Sequence, residues 1–378
     1  MNSYLKQFTI VLETLSPIHI GDGDKYEKNN YIAEQNDVFV FRGKRFYRFL
    51  EKRYPKSGYD AFVSDRRYDL KKFFYDYRIP KNCYPEAMER MIKIAAPQRS
   101  WEQREIFTFI RDPYGCPYIP GSSFKGALRS VIEGALILRL GHPVYTEEQM
   151  IRTIQEERAV AREKGKNLSP KDKSFLKKPN EKLKNEMLHA DLFPDNTGAY
   201  KREDILNDIM RAVIVGDSEP LSDEDILINS VFSLGADNFE WKDPTVYAEC
   251  LKPHTIVRFP IILDLSLCEK MSPSQRVIFS PDGILKAIEV SWDNYVKKYI
   301  GAYSRLDKGE HGSILMLGKY SGFVSKTMET ALLGEREASR VIAEVLDEET
   351  AKRKPYFVRC SYVGEEIYQI GRCRVSIE

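Results

Sequence analysis

Tyr118-Ile119-Pro120-Gly121-Ser122-Ser123-Phe124-Lys125-Gly126-Ala127-Leu128-Arg129-Ser130 reads as the end of a strand, a tight turn and a helix that starts at once. Proline presets φ and glycine tolerates the positive φ that often follows, so Pro120-Gly121 suits the turn. Ser122 or Ser123 is placed to cap the helix. Phe124, Leu128, Val131, Ala135 and Leu138 recur at three- and four-residue steps, and Gly141 supplies a stop. Lys125 and Arg129, four apart, share one helix face beside the free N–H groups of the helix start, a combination that suits a phosphate. The plain alternative is a capped core helix with two solvated cations.

The chain around this stretch has 378 residues, room for two domains or one core with large insertions. Hydrophobic residues at 42% and charged residues at 30% describe a globular protein rather than a disordered one. No apolar run approaches the roughly 20 residues that span a bilayer, and the N-terminus enters a strand pattern with no signal-peptide core, so a cytoplasmic protein is expected. Six scattered cysteines without a C-x-x-C pair, and five histidines, support no zinc site or disulfide framework; no metal or cofactor is expected. The net charge is only +2, but nine basic residues face three acidic ones between Arg162 and Lys184, a run more often solvated than binding.

Along the chain, residues 6–15 alternate as a strand that leads into the loop Ser16-Pro17-Ile18-His19-Ile20-Gly21-Asp22-Gly23-Asp24-Lys25. Val38–Phe41 is a short strand, Phe46–Leu50 a helical segment, and residues 53–105 read as a helical insertion. A strand at 106–110 delivers the chain to the opening stretch. Beyond the basic run, Met210–Val215 reads as a strand ending in Gly216-Asp217, and 226–234 as another. Residues 246–251 and 256–263 flank Lys252-Pro253-His254-Thr255 as a hairpin. Helical patterns follow at 283–300 and 328–346, with a glycine-containing stretch between them, and the chain ends in two strands at 356–360 and 366–375.

This order predicts an α+β fold of two ferredoxin-like β-α-β-β-α-β units with helical insertions, rather than a doubly wound sheet. The units are expected at 1–235, with insertions at about 53–105 and 142–205, and at 236–378, with a glycine-rich loop at 317–327. Neither a Rossmann fingerprint nor a P-loop is present.

Three glycine turns stand out: His19-Ile20-Gly21-Asp22-Gly23, Pro120–Arg129, and Leu317-Gly318-Lys319-Tyr320-Ser321-Gly322-Phe323. Together with Val215-Gly216-Asp217-Ser218, and in this order, they resemble the RAMP superfamily of CRISPR proteins. Length, the large central insertion and the ending at 317–327 are most similar to the fifth Csm subunits of type III-A effector complexes. The resemblance implies RRM-like units and a non-catalytic subunit that caps the 3′ portion of the CRISPR RNA at the end of a protein filament. It also implies support of guide maturation or stability in antiviral defence. The implied partners are CRISPR RNA, the neighbouring backbone RAMP subunit, the small subunit and host nucleases, with no membrane.

Backbone amides at glycine turns can approach phosphates closely. The resemblance therefore marks His19, Gly21 and Lys25; Gly121, Ser122, Ser123, Lys125 and Arg129; and Gly318, Lys319, Ser321, Gly322 and Lys326 as RNA-binding. Asp217 is expected to order its own turn. Two alternatives stay open. Asp22 and Asp24 could share a divalent metal in an endoribonuclease, or His19 could act as a general base; or the chain is a structural adaptor touching only neighbouring subunits.

Overall fold

The structure is a computed structural model; it describes residues 4–53, 60, 62, 64, 69–95, 104–140, 147–163, 187–201, 204–235, 246–298, 300, 303, 306, 309–321 and 358–378. Its longer helices are α1 (Gly43–Arg53), α2 (Leu70–Asp76), α3 (Gly121–Leu140), α4 (Glu147–Glu163) and α5 (Pro281–Lys298).

The first sheet comprises β1 (Leu5–Thr14), β7 (Val213–Val215), β10 (Ile256–Asp264), β11 (Ile314–Met316) and β14 (Arg372–Ile377), in the order β11-β14-β1-β10-β7 with antiparallel neighbours. Alternation builds its buried face: Ile10 and Leu12 on β1 and Val257, Phe259, Ile261 and Leu263 on β10 are fully buried. Against that face lie Phe124, Leu128 and Ile132 of α3 and Ile284, Ala287 and Ile288 of α5. The rings of Phe124 and Phe259 stack at 4.9 Å between centroids. Each buried aromatic contributes roughly 1.5–3 kcal/mol. The path β1–α3–β7–β10–α5–β14 with sheet order β14-β1-β10-β7 is a ferredoxin-like unit.

The second sheet is assembled from what lies between those elements. It runs β2 (Gly21–Tyr26), β6 (Ile106–Phe109), β9 (Val246–Leu251), β8 (Ile226–Leu234), β5 (Arg90–Ile94), β4 (Asp37–Val40) and β3 (Tyr31–Glu34), with the hairpin of β12 (Val358–Val363) and β13 (Glu366–Gln369) attached to β8. The β5–β8 and β6–β9 pairs are parallel. Helices α1 and α2 close the β3–β4 end through an aromatic cluster in which Phe41 meets Phe74 at 4.8 Å and Tyr84 at 5.1 Å.

The α+β class with ferredoxin-like repeats is therefore present, but the expected division at residue 235 is not how the sheets divide. Strands β8 and β9 pair across that position, and β1 pairs with both β10 and β14. Residues 246–264 form no hairpin either. Strand β9 belongs to the second sheet and β10 to the first, because the turn between them bonds to Thr14: His254 N–H donates to Thr14 O, and Thr14 N–H to Thr255 O. Within the stretch expected to be helical, Arg90–Ile94 is a strand, since pairing with β4 and β8 outweighs a weak local period. Residues 209–212 form a 3₁₀ turn rather than the start of β7. The chain end makes three strands instead of two, breaking at Gly371 with φ +104°. Most of the basic run at 162–184, Gly141 and the helical pattern at 328–346 lie outside the described residues.

Gly121 starts α3 where a Cβ would stand 2.6 Å from Val215 O and closer still to Gly216 O, whereas a Cβ at Gly126, exposed in the same helix, meets nothing within 4 Å. Gly121→Ala should therefore destabilise the chain by about 1–3 kcal/mol in urea titration. Gly126→Ala should stabilise it by roughly 0.5–1 kcal/mol. Equal effects of the two would refute the close approach.

Candidate nucleic-acid interface

The loop after β1 and the glycine loop at 317–321 meet where the chain passes between its two sheets. Ile18 and Leu251 exchange both backbone hydrogen bonds; Gly371 N–H donates to Pro17 O; Leu317 N–H donates to Gly371 O; and Lys319 N–H donates to His19 O at 3.0 Å. Glycine is required at two of these positions. Gly318 has φ +96° and a Cβ there would lie 2.6 Å from His19 O, while Gly371 presses against Leu317 O in the same way. Ser321 is buried and its hydroxyl donates to Gly318 O, closing the loop on itself.

His19 sits inside this junction, fully buried, and contacts no solvent. Its Nδ1 donates to Glu249 O at 2.8 Å and its ring stacks on Tyr320 at 5.1 Å. Burial depresses the imidazole to a pKa of about 4, the Glu249 carbonyl opposing, so the ring is neutral at pH 7. The expectation that His19 touches RNA is thus corrected: it fastens the loops from below. Ser321 is corrected for the same reason. Lys319, by contrast, is exposed, has no carboxylate partner among the described residues, and holds its ammonium 4.5 Å from the Phe107 ring centroid and 5.7 Å from that of Tyr320. Gly322 and Lys326 lie outside the described residues.

At the start of α3 the cap comes from a distant segment. Gly121 N–H donates to the Asp217 carboxylate at 2.8 Å, Ile119 N–H to Ser218 Oγ at 2.9 Å, and Ser218 N–H back to Ile119 O. Neither serine precedes the helix; both lie in its first turn, Ser122 exposed and Ser123 half-buried. The buried Gly121 therefore offers no free amide to a phosphate, a second correction, and an internal carboxylate occupies the positive end of the helix dipole. Lys125 Nζ donates to Val213 O at 2.7 Å, and Arg129 Nη1 pairs with Asp208 at 2.5 Å. Each spends one donor in holding residues 208–213 against α3. Burial lowers the Lys125 pKa; Asp208 opposes that shift, and Arg129 and Arg211 reinforce it.

Gly21–Lys25 form the edge strand β2, not a loop, with a register shift between Gly21 and Lys25 opposite β6. Asp22 accepts from Thr108 Oγ1 at 2.6 Å and from Asp24 N–H; Asp24 pairs with Arg42 at 3.0 Å; Lys25 pairs with Glu105. Gly21 remains exposed, over His19 Nε2. Sequence reasoning missed Gly371, Tyr320 and Phe107. A glycine followed by Arg-Cys-Arg at the chain end was the available signal for the first; Tyr320 stood inside the third glycine turn, and Phe107 carried none. No helix among the described residues is long and apolar enough to cross a membrane.

Comparison with known proteins covers the same architecture. The RAMP superfamily model matches residues 11–301. The chain is 24% identical over 400 residues to the CRISPR system Cms protein Csm5 of Mycobacterium tuberculosis, covering 100% of this chain and 99% of that protein. It is 27% identical over 271 residues to the protein of that name from Streptococcus thermophilus, covering 69% and 65%. Among solved structures, it aligns with a chain of a cryo-EM structure of a type III-A Csm–crRNA–target RNA ternary complex at TM-score 0.66 and 18% identity, over 98% of this chain and 100% of that one. It aligns with the crystal structure of T. onnurineus Csm5 at TM-score 0.60 and 20% identity, over 96% and 99%. With more than half of its length matched by the family model, the chain belongs to the RAMP superfamily, of which it is a Csm5-like member.

Proposed function

We propose that this chain is a non-catalytic, RNA-binding subunit of a type III-A Csm effector complex. It caps the 3′ portion of the CRISPR RNA at the end of the backbone filament and supports guide maturation or stability. The observation that carries the reading is Lys319, an exposed cation without a carboxylate partner among the described residues, laid on Phe107 and Tyr320 beside the exposed Gly21 edge. A cation and two half-buried rings suit the backbone and bases of a single strand without selecting its sequence. Likeness along the whole chain to Csm5 proteins supports the place in the complex, and the neighbouring backbone RAMP subunit and the small subunit are its proposed protein partners. Recruitment of host nucleases belongs to the same reading.

Asp22 and Asp24 support the non-catalytic part, because one carboxylate is tied to Thr108 and the other to Arg42. His19 supports it too. A general base must reach its proton, and this ring is buried with Nδ1 committed to a carbonyl.

In a complex reconstituted with the other Csm subunits, Lys319→Ala should weaken RNA binding and reduce the log–log salt slope by about 0.7. Unchanged affinity and slope would remove the observation on which the reading rests. Incubation with Mg²⁺ should leave guide and target RNA intact to the same extent for the wild type and for Asp22→Asn with Asp24→Asn. Cleavage that the double variant alone loses would make the chain an endoribonuclease. His19 is tested by stability. Its folded pKa lies below the ordinary 6.5, so the unfolded chain binds the extra proton. Stability should therefore fall as pH drops from about 6.5 to 4, by up to about 3 kcal/mol from this group, and His19→Gln should flatten that dependence.

A further inference from the structure

Next to the two α3 cations lies a group that the glycine turns do not include. Phe193 carries two cations over its ring, Arg211 at 5.6 Å and Lys270 at 5.1 Å from the centroid. Arg211 is exposed; its backbone N–H donates to Asp208 O, while its side chain makes no hydrogen bond or ion pair with any described residue and its guanidinium rests on the ring. Lys270, also exposed, donates to Leu192 O at 2.8 Å and has two further protons to offer. The platform is held from below, where Asn207 Oδ1 accepts from both Leu192 and Phe193 N–H. Arg211 follows Asp208 on the same 3₁₀ turn, so the Arg129–Asp208 pair and the Lys125–Val213 bond fix its base. Among the described residues, Asp208 is the one carboxylate paired with any of these four cations. Cations that outnumber the carboxylate paired with them leave positive charge available to an arriving anion.

We propose that Arg211 and Lys270, seated on Phe193, form a second backbone-contact patch for single-stranded RNA. Lys125 and Arg129 brace it, and it lies apart from the Lys319 junction. Phosphate is the favoured ligand because both cations are exposed with N–H donors to spare, and the Phe193 ring already carries both of them. This inference rests on the RNA-binding reading and gives it a second contact.

The test uses the complex reconstituted with its other Csm subunits and a labelled single-stranded RNA, titrated across salt concentrations. Arg211→Ala with Lys270→Ala should lower affinity and reduce the slope by about one unit, the ceiling being about 1.4 for two phosphates. Arg211→Lys with Lys270→Arg should restore the slope. If the wild type binds no RNA at any salt, the functional reading itself fails. If it binds and the double alanine variant keeps the wild-type slope, the patch is not an RNA contact. Unchanged RNA binding with loss of co-purifying Csm subunits would overturn the proposal in favour of an acidic protein partner. Thermal melting of each variant separates these outcomes from misfolding.

Discussion

Every passage between the two sheets that is described at the junction is tied to another passage by backbone hydrogen bonds, and the rest of the structure depends on that tie. Residues 15–20 lead from β1 to β2, 252–255 from β9 to β10, and 370–371 from β13 to β14. Thr14 bonds to Thr255, Ile18 to Leu251, and Pro17 to Gly371. A buried amide or carbonyl left unpaired costs about 1–3 kcal/mol, so loosening one passage strands groups on the others. That cooperativity explains why strands far apart in sequence, β1 and β14 above all, form one sheet. It also explains why the ring at the centre is a neutral histidine: one N–H serves the Glu249 carbonyl, and a second buried proton would have no acceptor among the described residues.

The glycines serve close packing of backbone on backbone. Gly121 lies against Val215 and Gly216, Gly216 against Pro260, Gly318 against His19, and Gly371 against Leu317. A turn that looked built to receive a phosphate is already filled by Asp217. The same feature, a glycine before a helix, is compatible with both uses, because both require that no Cβ intervene. What separates them is the partner, and only the three-dimensional arrangement supplies it.

Legibility in the sequence followed the range of the interaction. Helix α3 was readable because Phe124, Leu128 and Ala135 repeat locally, and β8 because a mostly apolar nine-residue stretch between turn signals has few alternatives. The α+β class followed from the order of such elements. The interleaving of the sheets was not readable: the 252–255 turn has hairpin chemistry, and only its bonds to Thr14 send β10 to the other sheet. At the site, Lys319 was found through its glycine neighbours. Its seating on Phe107, more than two hundred residues away, was hidden, as was the burial of His19. Arg211 and Phe193 carried no motif, since their nearness depends on Asn207 gripping residues 192 and 193.

In the proposed role, the two cationic contacts share one design. Lys319 has its backbone pinned to His19 and its side chain laid on an aromatic ring; Arg211 stands on a 3₁₀ turn capped by Asp208 and lies on Phe193. A free lysine or arginine loses about 2 kcal/mol of rotamer freedom on fixing a phosphate, and here part of that loss is incurred during folding. Ring contact also orients the cation without neutralising it, as a carboxylate would. Lys25, half-buried and paired with Glu105, shows the contrast: it must break an ion pair before it can meet a phosphate. A single strand held through its backbone needs cations of the first kind, and their partners in this chain are rings rather than acids.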